Sequence, residues 1–140
     1  MALNHKSSKT TKNLDLIRSV QNYSSLLIND PNNPEIHHNL SICFRQLGLY
    51  KKALEHSELA YNFASENSTI IFSNGISNEL IGNIPNAIKN YKEAISFRPN
   101  YLEALNTYGT ILLKLERFAE AEQILRKGIE LKPDDFTATN

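Results

Sequence analysis

Residues 102–135 read LEALNTYGTILLKLERFAEAEQILRKGIELKPDD. Apolar side chains recur at steps of three and four residues in both halves of this stretch, which predicts two amphipathic α-helices, Leu102–Leu115 and Phe118–Leu131. Glu116 and Arg117 lie between the two halves and form the turn. The stretch is therefore a helix–turn–helix unit, and it sets the register in which we interpret the rest of the chain.

The same unit recurs upstream at a step of 34 residues, as the small residues show. Three sets of small residues keep this spacing: Ser41, Gly75 and Gly109; Ala53, Ala87 and Ala121; Ala60, Ala94 and Gly128. A fixed period between about 20 and 50 residues is typical of stacked-repeat proteins, in which each unit buries its apolar face against the next. Glycine inside a helix costs about 1 kcal/mol relative to alanine, so we expect these positions to be points of close helix contact.

The repeated pattern resembles that of the tetratricopeptide repeat family, over about residues 13–135. The matching residues are Leu40, Phe44, Ala53 and Ala60 in the first repeat; Ile71, Gly75, Ala87, Tyr91, Ala94 and Pro99 in the second; and Leu105, Tyr108, Gly109, Leu112, Ala121, Leu125, Gly128 and Pro133 in the third. The first repeat departs from the family pattern at His37, Ser57 and Ser65. The second departs at Asn74 and Asn78, where Leu and Tyr are usual.

The resemblance implies an all-α fold, a right-handed superhelical solenoid of antiparallel helix pairs with about seven helices. The expected organisation is a disordered tail at 1–12, one solenoid domain at 13–135 and the start of an incomplete further helix at 136–140. Within the domain we place a leading helix at 13–30 and repeats at 34–67, 68–101 and 102–135. The expected helices before Leu102 are Asn13–Asn29, Pro34–Leu47, Tyr50–Ala64, Ser68–Ile81 and Ile84–Phe97. Asn13 and Ser68 are candidate N-caps, and Gly48 and Gly82 fit the turns because glycine permits left-handed geometry.

Composition argues against several classes of function. Fifteen basic and fifteen acidic side chains cancel, so a nucleic-acid or membrane-surface role gains no support. No apolar run approaches the roughly 20 residues of a membrane span, and no signal-peptide core follows the start. The single cysteine, Cys43, suits a reducing compartment. We therefore expect a cytoplasmic protein.

The residues that usually carry chemistry form no recognisable site. His37 and His38 are adjacent, so on a helix their side chains diverge and cannot share a metal ion. Cys43 is interpreted as a small buried residue, and the sequence contains neither a phosphate-binding loop nor a nucleophile motif. We predict no catalytic, cofactor or metal site.

A binding face is the remaining place for function. In the family, positions 5, 9 and 12 of each first helix, together with position 6, line a concave groove. The predicted partner-binding residues are His38, Asn39, Ile42, Arg45, Phe72, Ser73, Ile76, Glu79, Asn106, Thr107, Thr110 and Leu113. The alternative is that the apolar members Ile42, Phe72 and Ile76 only pack between repeats.

The predicted function is non-catalytic binding of a protein or peptide segment in that groove. Some members of the family hold a partner's terminal carboxylate through Lys, Asn and Arg, but the corresponding residues here do not match: His38, Ile42, Ser73, Glu103 and Thr107. One alternative is that the chain is the substrate-presenting arm of a larger glycosyltransferase or sulfotransferase. Another is self-association, or the addition of further repeats, through the apolar side of Phe118–Leu131.

Overall fold

The computed structural model describes the backbone of residues 2–131 and the side chains of residues 8–131. These residues form seven α-helices and no strand, which confirms the predicted all-α solenoid. The helices are α1 (Ala2–Asn29), α2 (Pro34–Gln46), α3 (Tyr50–Phe63), α4 (Ser68–Ile81), α5 (Ile84–Phe97), α6 (Leu102–Lys114) and α7 (Phe118–Glu130). The further helix expected at 136–140 lies outside the described residues.

The leading helix differs from the prediction at its amino-terminal end. The sequence predicts a disordered tail at 1–12 and an N-cap at Asn13, whereas α1 runs without a break from Ala2. Near its carboxy-terminal end, Val20, Tyr23 and Leu27 pack against the buried side chains of α2 and α3. That contact nucleates the helix, and each residue added beyond it gains one backbone hydrogen bond at little cost. Propagation thus extends α1 through a polar segment whose described side chains, at 8–12, are exposed.

Caps and turns fix the ends of the paired helices. Asn33 accepts hydrogen bonds from the backbone of Glu35 (2.9 Å) and Ile36 at the start of α2. Asn67, rather than the predicted Ser68, caps α4 by accepting a bond from the backbone of Ile70 at 3.1 Å. Gly82 ends α4 with φ 91°, as its predicted role requires. The α6–α7 turn has no glycine, and Glu116 takes the left-handed conformation there with φ 59°.

Each pair packs through its small residues. Ala53, Ala87 and Ala121, one from the second helix of each pair, are fully buried. The larger of two core clusters joins the second and third pairs, and the smaller joins α1 to the first pair. Tyr61 of α3 packs against the larger cluster, so apolar contacts also join the first pair to the second. Along the stack, the first helices α2 and α4 contact each other.

Candidate functional site

A shallow groove lies between the first helices, and we call it the first-helix groove. Its volume is about 150 Å³, and its lining comprises His38, Ile42, Arg45, Thr69, Phe72, Ser73, Ile76, Tyr101 and Glu103. Six of the predicted partner-binding residues are in this set: His38, Ile42, Arg45, Phe72, Ser73 and Ile76. For scale, an apolar cavity of about 150 Å³ can hold a molecule such as benzene. The groove can take one side chain of a bound segment.

Phe72 lines the groove but is almost entirely buried, as expected for a residue that packs between repeats. Only 4% of its surface is exposed, and its ring centroid lies 5.1 Å from that of Tyr101 and 5.6 Å from that of Tyr91. Tyr101 comes from the link between α5 and α6, and its ring packs against Phe72. The apolar side chains left half-buried along the groove are Ile42 and Ile76.

Arg45 is the cation of the groove, and the protein pairs it weakly. Its guanidinium donates one long hydrogen bond, 3.4 Å, to the hydroxyl of Ser73. Burial lowers the pKa of Arg45, while Tyr91 and Glu103 act in the opposite direction. Among the described residues, no carboxylate oxygen lies within ion-pair distance of it. The guanidinium therefore retains donors for a ligand.

His38 adds an unsatisfied polar atom at the same place. Its Nδ1 is buried and has no hydrogen-bond partner among the residues whose side chains are described. Burial lowers the pKa of His38, with Glu35 opposing and Arg45 adding to the effect. The neutral imidazole is therefore favoured, and a buried polar atom of this kind is costly unless something pairs with it.

The other predicted residues do not join this groove. Glu79 accepts a hydrogen bond of 2.7 Å from the hydroxyl of Tyr91. Asn106 lies against Gly128 of α7, which places its amide at the contact within the third pair. Four predicted residues remain, on α2 and α6. Asn39 and Thr107 are half-buried, and Thr110 and Leu113 are exposed.

Sequence reasoning missed Thr69 and Tyr101 as lining residues and considered Glu103 only as a mismatch to the carboxylate-binding pattern. Thr69 lies one turn before Phe72 and Ser73, so helical spacing could have indicated it. Tyr101 lies in the link before α6 rather than on a first helix, so the repeat positions that predict the groove do not include it.

No group of three or more potential metal ligands occurs among residues 8–131. None of the described helices is long and apolar enough to cross a bilayer.

Comparisons with known proteins agree with the fold. The tetratricopeptide repeat model matches residues 82–138. The chain is 31% identical over 104 residues to BBSome complex member BBS4 of Bos taurus, which covers 74% of this chain and 20% of that protein. It is 24% identical over 106 residues to Tetratricopeptide repeat protein 6 of Homo sapiens, covering 76% of this chain and 20% of that protein. This chain thus spans about a fifth of the length of these curated relatives.

Solved structures of MamA share the architecture. One crystal structure of MamA superposes with a TM-score of 0.80 and 25% identity, covering 90% of this chain and 73% of that one. MamA from Desulfovibrio magneticus superposes with a TM-score of 0.80 and 18% identity, covering 86% of this chain and 68% of that one. The 34-residue period, the stacked helix pairs and these matches agree: the chain belongs to the tetratricopeptide repeat family.

Proposed function

We propose that the protein is a non-catalytic interaction module that binds a peptide segment of another protein in the first-helix groove. The observation that carries this proposal is the pairing of unmet polar groups with an apolar floor. His38 Nδ1 lacks a partner and Arg45 has spare donors, while Ile42 and Ile76 supply apolar surface beside them. A bound segment would accept hydrogen bonds from the guanidinium of Arg45 and cover Ile42 and Ile76.

The arrangement favours a segment with one apolar anchor flanked by hydrogen-bond acceptors. The apolar anchor would pack on Ile42 and Ile76, where burying one large side chain contributes about 1.5–3 kcal/mol. A main-chain or side-chain oxygen next to the anchor would accept from the guanidinium of Arg45. Glu103 lies close to Arg45, so the groove carries no excess positive charge and affinity should depend weakly on salt.

The test is selection of short peptides from a random display library on the wild-type chain, followed by calorimetric measurement of their Kd. Ile42→Ser should weaken binding by about ten- to a hundredfold, since it removes half of the apolar floor. The matched control is Leu26→Ser, which makes the same kind of change on the exposed side of α1. Circular dichroism checks that both variants fold. Equal Kd values for both variants would place binding elsewhere.

The role as a substrate-presenting arm of a transferase draws no support from the relatives and structures named above. Self-association is a separate proposal, and it rests on exposed apolar side chains of α7 such as Phe118 and Ile129. Sedimentation of the wild type and of Phe118→Ser/Ile129→Ser distinguishes it from peptide binding. Within this proposal, the cytoplasm remains the expected location and no cofactor is required.

A further inference from the structure

The second repeat carries asparagine at two positions that are apolar in both neighbouring repeats. The residues 34 positions before and after Asn74 are Leu40 and Tyr108, and those around Asn78 are Phe44 and Leu112. All four neighbours belong to the buried core. The two asparagines are buried as well, with Asn78 only 3% exposed. Placing amides where the fold otherwise places large apolar groups costs stability unless every polar atom is paired.

A hydrogen-bond network fixes which way the amides point. The Asn78 side chain donates to Oδ1 of Asn90 at 2.9 Å and to Oδ1 of Asn74 at 3.4 Å. Ser57 also donates to Oδ1 of Asn74, at 3.2 Å. Since both carbonyl oxygens face these donors, the Nδ2 groups of Asn74 and Asn90 point away from Asn78. Neither Nδ2 group donates to another described residue, so several N–H donors remain unused.

These unused donors border an open groove, which we call the second-helix groove. It has a volume of about 220 Å³ between α3 and α5, with α4 as its floor, and its lining is Glu58, Tyr61, Asn74, Asn78, Asn86, Lys89 and Asn90. At about 100° per residue, the residues of α4 that line it point roughly 170° away from those that line the first-helix groove. The two grooves therefore lie on opposite sides of α4.

The charges around the second-helix groove select the class of ligand. Lys89 lies on the α5 wall and Glu58 on the α3 wall. Tyr61 donates its hydroxyl to both carboxylate oxygens of Glu93, at 2.8 and 3.0 Å. With two carboxylates and one ammonium nearby, the groove has no net positive charge to attract an anion. A neutral acceptor, such as a peptide carbonyl, fits the free amide donors without a charge conflict.

We infer that the second-helix groove binds a neutral, extended peptide segment of a partner protein. Main-chain carbonyl oxygens of the segment accept hydrogen bonds from Nδ2 of Asn74 and of Asn90. Lys89 and Glu58 flank the segment on opposite walls, so the groove has no net charge that favours an acidic or a basic segment. This site is separate from the first-helix groove, so the chain can hold two segments at once.

The decisive variant replaces the network by the residues of the first repeat, Asn74→Leu/Asn78→Phe. The probes are blocked peptides without Asp, Glu, Lys or Arg, selected from a display library on the wild-type chain and measured by calorimetry. The expected result is a Kd about tenfold weaker for the variant, because the bond from Asn74 is lost and the amide of Asn90 loses the Asn78 donor that orients it. Its melting temperature should change little, because the apolar groups that fill the core position offset the loss of the donor to the buried Oδ1 of Asn90. If the double variant does not fold, Asn90→Ile gives the same test. Isoleucine is the residue at the equivalent position of the third repeat, Ile124.

Two controls separate this site from the first-helix groove and from anion binding. Ile42→Ser should leave the Kd of these neutral peptides unchanged, and raising the salt concentration should do the same. Several results would overturn the inference: failure to select any peptide that depends on Asn74 and Asn78, equal binding to wild type and variant, or loss of binding in Ile42→Ser. A melting temperature that falls without any loss of binding would show that the network is only structural. Selection of acidic, salt-sensitive peptides that require Lys89 would overturn the neutral ligand.

Discussion

Gly75 on α4 lies against the ring of Tyr91 on α5, and no space for a β-carbon remains between them. A β-carbon at Gly75 would lie 2.6 Å from Cε1 and 2.8 Å from Cδ1 of that ring. The ring cannot move aside easily, because it is fully buried and its hydroxyl is bonded to Glu79. The small residue predicted at this repeat position is thus required by direct contact between paired helices.

Gly75→Ala should lower the free energy of unfolding by about 1–3 kcal/mol, the range for overpacking a well-filled core. Alanine is a better helix former than glycine by about 1 kcal/mol, and this gain offsets only part of the loss. Urea unfolding of the wild type and the variant measures the difference.

Gly128→Ala is the matched comparison. The nearest atom to a β-carbon there is Oδ1 of Asn106, at 3.1 Å, at the end of an exposed side chain that can rotate away. The variant should be neutral or more stable by up to about 1 kcal/mol, because the helix propensity gain is then realised. Similar losses at Gly75 and Gly128 would contradict the contact proposed for Tyr91.

Ala87→Leu tests the small residue on the other helix of the same pair. Ala87 is fully buried in the main core cluster, so a larger side chain should cost about 1–3 kcal/mol. Glu120→Ala should have a much smaller effect, because its ion pair with Arg117 lies on the exposed surface. Thermal unfolding compares the two, and equal shifts would argue against the repeat register.

Most of the fold could be predicted because repeat period and helix periodicity are local, repeated signals. The bounds Ser68–Ile81 and Ile84–Phe97 agree at both ends, and the other paired helices end one residue earlier than predicted. Gly82 was identified as a turn residue because only glycine adopts its φ without strain. The start of α1 could not be predicted, because it depends on a helix being propagated from a packed end.

The grooves could be predicted only in part, because they depend on contacts between helices. The face of α4 that carries Phe72 does line the first-helix groove, but Tyr101 from a neighbouring link packs against Phe72 and helps to bury it. Asn74 and Asn78 were recognised as departures from the family pattern, four residues apart on one face. That spacing was the available signal for the second-helix groove, although the partner Asn90 on α5 is visible only in the structure.

Stability should fall as the solution is acidified. Burial lowers the pKa of His56; His37 and Lys52 lower it further, whereas Glu55 raises it. Burial also lowers the pKa of His38. The unfolded chain, with histidine near about 6.5, then binds protons before the folded chain does. The free energy of unfolding therefore drops as pH falls below about 6.5 and levels off below the folded pKa values.

Melting temperatures measured from neutral to mildly acidic pH check this expectation. The wild type should melt lower at the acidic end, and His56→Gln should show a smaller decrease. The contacts of His56 support its part in this pH dependence. Its Nδ1 lies 3.0 Å from Nδ1 of His37, and His37 in turn donates from Nε2 to the carbonyl of Pro31 at 2.7 Å. An identical pH dependence in His56→Gln would remove His56 from the account.

Binding of a peptide segment in the first-helix groove can be observed residue by residue in a heteronuclear NMR titration of the ¹⁵N- and methyl-labelled chain with a selected peptide that carries an apolar anchor. We expect the largest shift changes on the methyl groups of Ile42 and Ile76 and on the side chain of Arg45. Shift changes confined to α7, or to α3 and α5, with these three residues unaffected, would contradict it.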